Sequence, residues 1–274
     1  MRIVLTGDPQ RPLVKQNRNL EVFKLLMKHD VELLDYQEIS QDEWKLSQSD
    51  GGKSFIADKV GGNDLVVGYE MPRAVIRDLA EREIKYINVI IHPARFMPDL
   101  VFGVKTNIGV GDGVLSKREL QAHAFEYKEW IKRNPREIPD LGSDHMVVGQ
   151  SRFDRSVLYD GEFHKVEEYV TDFSGKVLRR HPDEHNLYKQ EEHEKVSLYR
   201  YFDRLKTIEG INSSALYEAE LFGVPNVIYH GPKWWEDYIP VSGGPLFGIR
   251  ETPPNFFRSM FNVVWGYERR CLDG

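Results

Sequence analysis

Residues 206–230, KTIEGINSSALYEAELFGVPNVIYH, join a short apolar run to a pair of serines, a helix-forming stretch and a glycine. Ser213 and Ser214 stand where the helix would begin. Ala215, Leu216, Ala219 and Phe222 give it an apolar face, and Gly223 closes it. Free backbone N–H groups, the positive end of a helix dipole and two hydroxyls can together hold a nucleotide phosphate without a metal. Serine N-caps and glycine C-caps also bound ordinary helices, so the segment alone admits that plainer reading. Glu218 lies one turn into the same helix.

Three further constellations carry chemistry. In VVGQSRFDRSVLY, residues 147–159, Gln150 follows an apolar strand, and Asp154 stands between Arg152 and Arg155. Two guanidinium groups would keep that carboxylate ionised, as a nucleophile requires, although a plain loop ion pair has the same spacing. In VLRRHPDEH, residues 177–185, a strand delivers Arg179, Arg180 and His181 to a turn, a set suited to neutralising a phosphate leaving group or donating a proton to it. A solvated basic turn is the alternative. His181 and His185 have H-x3-H spacing, but Pro182 interrupts a helix and no cysteine or third ligand joins them, so no metal is expected. The third constellation pairs GYEMPR, residues 68–73, with IHPARFMPDLVFG, residues 91–103. Glu70 at a strand end could be a base or an acceptor anchor, and Arg95 could grip a sugar carboxylate bidentately. Glu70 capping the helix after Pro72, and Arg95 pairing with Asp99, are the plainer assignments.

These residues need elements to hold them. Strands are expected at 2–6, 31–36, 64–70, 86–91 and 99–103, with helices from Asn17 or Asn19, after Met71-Pro72, and over 117–133. A second series runs through 145–150, a helix near 165–170, a strand at 176–178 and the segment 206–230. A final helix beyond Pro253-Pro254 is expected to cross back to the first half. Alternating strands and helices imply an α/β fold with mostly parallel sheets, read as two Rossmann-like domains facing a cleft. The proline- and glycine-bearing stretch 134–144 places the boundary between domains 1–140 and 141–274.

With 274 residues each half can bury its own core. A net charge of −6 gives no basic footprint, which argues against nucleic acid as a partner. The single cysteine, Cys271, forms no internal disulfide, so a cytoplasmic setting is expected. The N-terminus lacks the pattern of a signal peptide, and no apolar run reaches the length of about 20 residues that spans a bilayer. The aromatic run FFRSMFNVVWGYERR, residues 256–270, could touch a membrane peripherally, but reads better as a packed amphipathic helix.

Glu218-Ala219, Gly223 and Pro225 match an E-A-x-x-x-G-x-P pattern that resembles the nucleotide-binding half of GT-B glycosyltransferases, where the glutamate holds the ribose. In order, GYE at 68–70, ARFMPDLVFG at 94–103, GQSRFDRS at 149–156, RRHP at 179–182 and INSSALYEAELFGVP at 211–225 resemble the retaining β-Kdo transferases of bacterial capsule and lipopolysaccharide assembly. That resemblance spans about residues 64–230. It implies a GT-B-like fold, CMP-Kdo as donor, Asp154 as nucleophile, His181 and Ser214 on the CMP phosphate, Glu70 on the acceptor side and Arg95 in support. Gln150, Arg180 and Ser213 join the donor site. The nucleotide-sugar is a co-substrate, with no cofactor or metal expected, and the acceptor is an oligosaccharide or glycan. A UDP-sugar such as UDP-xylose or UDP-glucose on the same scaffold is the alternative, with Glu70 as base and Asp154 in support. A non-catalytic sugar or nucleotide binder is a second alternative. An epimerase is disfavoured because no G-x-G-x-x-G turn follows the first strand.

Overall fold

The computed structural model describes residues 2–6, 31–33, 47, 51–54, 56–97, 99–109, 113–151, 154–159, 161–184 and 187–245. In chain order, β1 (Arg2–Thr6), β2 (Val31–Leu33) and β3 (Asp64–Tyr69) lead to α1 (Arg73–Glu81), β4 (Lys85–Ile91) and β5 (Asp99–Thr106). Then come α2 (Lys117–Arg133), β6 (His145–Val148), the short strands β7 (Leu158–Tyr159) and β8 (Glu162–Phe163), and β9 (Val177–Arg179). β10 (Thr207–Gly210), α3 (Ser214–Phe222), β11 (Asn226–Tyr229) and β12 (Ile239–Pro245) follow. The chain is thus mixed α/β with parallel sheets. The expected helices from Asn17 or Asn19 and beyond Pro254, the latter cast as crossing back, lie outside the described residues.

Two compact units divide this chain. The first holds the described residues up to His92, 99–109, 113–115 and 237–245. Its six-stranded sheet has the order β12-β5-β4-β3-β1-β2. β2, β1, β3 and β4 run parallel, while β5 is antiparallel to β4 and β12 is antiparallel to β5. Every residue of β3 is buried, as a central strand covered on both faces requires. Arg2 starts the register by donating to both Asp64 oxygens, at 3.0 and 2.7 Å. That hydrogen bonding holds the Asp64 carboxyl below its usual range, with burial acting in the opposite direction.

The second unit takes in residues 93–97 and 116–236. Its parallel sheet has the order β11-β10-β6-β9. One face packs on α3, which in turn meets α2. Val147, Val157, Val166, Val170 and Ile211 form a core cluster, with Tyr159, Tyr169 and Leu178 packed against it. The helix expected near 165–170 is only a 3-10 turn over Val166–Glu168, its two acidic residues exposed and Val166 and Val170 turned into that cluster.

This division departs from a single cut at 140. The stretch 134–144 links α2 to β6 inside the second unit, because proline and glycine mark irregular chain rather than a boundary. The long helix α2, placed by its sequence position in the first domain, packs instead on α3 of the second unit. The chain then returns to the first sheet through β12, which no sequence signal announces.

Candidate functional site

In an open parallel sheet, ligands bind beyond the carboxyl ends of the strands where the connections change direction. The second sheet makes that change between β6 and β10: from β6 the chain adds β9 on one side, then β10 on the other. Gly210 lets β10 approach β6, since a Cβ there would lie 2.8 Å from the Val148 carbonyl oxygen.

The chain after β6 folds back on this edge. Asp154 N–H donates to the Ser151 carbonyl at 3.0 Å, closing a turn. Asp154 Oδ1 accepts from the Ser156 backbone N–H at 2.8 Å and from its hydroxyl at 2.7 Å. Gln150 Nε2 in turn donates to Ser156 Oγ at 2.5 Å. One carboxylate oxygen of Asp154 is therefore fixed, while Oδ2 has no hydrogen-bond partner among the described residues. Arg152 and the Arg155 side chain, the cations expected to flank Asp154, lie outside the described residues, and the groups seen holding this carboxylate are those of Ser156.

Asn212, which sequence reasoning passed over, ties the edge together. It is fully buried. Its Nδ2 donates to the Ser156 carbonyl at 2.6 Å and the Pro232 carbonyl at 3.0 Å, and its backbone carbonyl accepts from Trp234 Nε1 at 3.1 Å. Three loops thus meet at one residue. Among the described residues two side-chain oxygens there, Asn212 Oδ1 and Gln150 Oε1, are buried without a hydrogen-bond partner. An unpaired buried acceptor is costly. The only signal in the sequence was position: an asparagine between strand and serine turn.

Ser213 is the N-cap of α3, and its hydroxyl accepts from Ala215 N–H at 3.4 Å. Its hydroxyl thus takes the plainer capping role, whereas Ser214 is half-buried on the first turn. Gly223 ends α3 in the left-handed conformation at φ 81°, where the missing Cβ matters. Beyond β9, Gly149 N–H donates to the Arg179 carbonyl at 2.8 Å, so the 180–181 main chain runs against the start of the Gln150 loop. His181 Nδ1 accepts from Asp183 N–H at 3.2 Å and lies 3.5 Å from Asp183 Oδ2. Arg179, by contrast, is structural: its guanidinium donates to the carbonyls of His193, Glu194 and Val196. Arg180 N–H donates to Glu194 Oε1 at 2.8 Å, and its guanidinium lies over Tyr188, 5.2 Å from the ring centroid. Among the described residues no cluster of His, Cys, Asp or Glu has the arrangement of a metal site.

Glu218 sits elsewhere than expected. It is 5 % exposed, and its Oε1 accepts from Arg95 N–H at 2.7 Å and from Tyr199 OH at 2.9 Å. A carboxylate so enclosed has no oxygen turned toward a ribose. Arg95 itself is exposed.

In the first unit, Glu70 stands just past the carboxyl end of β3, beside the point where that sheet's connections change direction between β1 and β3. Its backbone is left-handed, φ 55°, a conformation that costs a non-glycine residue about 1 kcal/mol or more. Two bonds impose it: Glu70 N–H to the Val89 carbonyl, 2.9 Å, and Met71 N–H to Asn88 Oδ1, 2.9 Å. The capping alternative is not realised, because the N-cap of α1 is Pro72, with no side-chain hydrogen bond capping the helix.

No family model matches the chain, and no curated protein matches it. Among solved structures it is similar to KpsC of Thermosulfurimonas dismutans, a beta Kdo 2,7 transferase, at 16% identity over 85% of this chain and 79% of that one, with a TM-score of 0.43. It is also similar to a KpsC beta Kdo 2,4 transferase from the same organism, at 12% identity over 93% of this chain and 89% of that one, with a TM-score of 0.39.

Proposed function

We propose that the chain is a glycosyltransferase that moves a sugar from a nucleotide-activated donor to a glycan acceptor, with CMP-Kdo as first candidate donor. One observation carries this reading: an Asp154 carboxylate held by a single oxygen, at the direction change of a parallel sheet, beside a serine-capped helix N-terminus. The two sides of that edge differ in character. Asp154 Oδ2 offers an acceptor on one side. Ser213, Ser214 and the first-turn amides of α3, with His181 and Arg180, offer donors, which suit a phosphate.

In the reaction, Asp154 Oδ2 attacks the anomeric carbon as the bond to the phosphate oxygen breaks, giving a glycosyl ester and free nucleotide. His181 and the α3 amides stabilise charge on the departing phosphate. An acceptor hydroxyl then attacks the same carbon, loses its proton to a base and releases the aspartate, so two inversions give net retention. Glu70 is assigned to the acceptor side. Because helix, imidazole and guanidinium meet the phosphate charge, turnover should survive EDTA. Loss of activity with EDTA and recovery with magnesium or manganese would contradict that assignment.

The test is intact-mass analysis of the protein incubated with CMP-Kdo and no acceptor. A Kdo adduct mapped to Asp154, absent in Asp154→Asn, supports the mechanism. Release of CMP from acceptor-containing reactions with no adduct and undiminished turnover in Asp154→Asn would remove the nucleophile.

A further inference from the structure

We propose that Glu218 is a positioning residue: from one turn into α3 it holds the Arg95–Phe96 main chain so that the Arg95 guanidinium is presented to an anionic group of the donor sugar. What Arg95 touches rests on the transferase reading above; the latch itself does not.

The geometry is that of a closed clasp. Glu218 accepts from Arg95 N–H at 2.7 Å and Tyr199 OH at 2.9 Å, and the Phe96 N–H also favours the charged carboxyl. Packing secures the same segment. The Phe96 ring meets Phe222 edge-on at 5.1 Å, Tyr199 edge-on at 6.4 Å and Tyr127 at 6.5 Å. Phe96 is thus buried while its neighbour Arg95 is exposed. A turn pinned by its main chain and one ring fixes the point from which the Arg95 side chain extends, which lowers the backbone entropy lost when the guanidinium grips a carboxylate or phosphate.

The clasp is also sensitive to protons. Burial pushes the Glu218 carboxyl up to about 7, against the opposing hydrogen bonds of Arg95 N–H and Tyr199 and the Arg95 charge. The groups facing it are Arg95 from residues 93–97, Tyr199 from the turn after Ser197, and Tyr127 of α2, which acts on Tyr199. Burial, then the Glu218 charge, raise the Tyr199 hydroxyl above its ordinary value, so it remains a donor to Glu218. Raising pH through neutrality therefore ionises Glu218 and strengthens the bond it accepts from Arg95 N–H, since a charged acceptor binds N–H more tightly.

The experiment has two arms. In NMR of the 15N-labelled chain, the Arg95 and Phe96 amides should titrate together with a midpoint near 7, and Glu218→Gln, which keeps a carbonyl acceptor, should abolish that titration. Amides that do not titrate, or that titrate equally in Glu218→Gln, would overturn the clasp whatever the protein's activity. In calorimetry, CMP-Kdo is the probe and CMP the control that lacks the sugar carboxylate. Arg95→Ala and Glu218→Ala should each weaken CMP-Kdo by about tenfold while leaving CMP within about twofold, the scale of one charge-assisted contact. Weakening of both ligands alike, or of neither, would overturn the assignment of Arg95 as the presented group. Should neither ligand bind the wild-type chain, the donor reading fails, and the amide titration still decides the clasp.

Discussion

Asp154 and Asn212 divide the work at the carboxyl edge of the second sheet. Asp154 Oδ1 is committed to Ser156, so replacing the carboxylate by an amide should leave the turn folded yet remove the proposed nucleophile. Asp154→Asn should lower transfer by about 10³-fold or more while nucleotide affinity holds; initial rates with parallel calorimetry check both. Asn212 makes no claim on the reacting atoms. Its amide satisfies the Ser156 and Pro232 carbonyls, both of which Asn212→Ala would strand. That variant should lose about 2–4 kcal/mol of stability in urea unfolding, along with turnover; unchanged stability would show that the three loops are held some other way. Asp154 could be singled out from the sequence because a carboxylate after a strand is a recognisable arrangement. Asn212 was not, since its importance comes from partners 20 and 56 residues away. Glu218 was read as a ribose ligand because spacing cannot say which way a helical side chain faces, and it turned inward to Arg95 and Tyr199.

At the level of elements, the second sheet depends on β10 lying close to β6. Gly210→Ala would place a Cβ 2.8 Å from a main-chain oxygen that has no room to move. Such overpacking should cost about 1–3 kcal/mol and weaken nucleotide binding, because α3 starts from the same strand; thermal unfolding and calorimetry would register both. The elements legible in the sequence were those with local signals. α2 runs over Lys117–Arg133 as expected, because Ser116 and Glu119 form a reciprocal cap at its start. α3 was likewise announced by Ser213 and Gly223. β12 was not, because Pro240, Gly243, Gly244 and Pro245 give Ile239–Pro245 the composition of a loop, and its pairing with β5 shifts register between Ser242 and Pro245. An edge strand accepts proline where a central one cannot.

Across the whole molecule, two buried glutamates respond to pH in opposite senses. The Glu218 carboxyl rises to about 7, so the folded chain holds a proton there that the unfolded chain releases near 4.5. Its contribution is present below the unfolded value and is lost as pH climbs through 7, by up to about 3 kcal/mol. Burial also pushes Glu209 up, but Lys176, 2.7 Å from Oε1, and His230, 2.9 Å from Oε2, outweigh it and hold the carboxyl below its usual range. Its contribution is present above the unfolded value and is lost as pH falls through the lower folded one. Urea midpoints of the wild type should therefore decline from pH 5 to pH 8, while those of Glu218→Gln stay level and its acid limb is kept; parallel curves would contradict this. No helix among the described residues is long and apolar enough to cross a membrane. The central claim, a nucleotide-sugar site on the second unit, is tested most directly by thermal shift with CMP, UDP, GDP and ADP on the wild type, Ser214→Ala and His181→Ala. A ligand at 100 times its dissociation constant adds about 2.7 kcal/mol to the folded state. Selective stabilisation by CMP, reduced in both variants, is the result expected; stabilisation by UDP instead would keep the site and change the donor, and no response to any of the four would contradict the account.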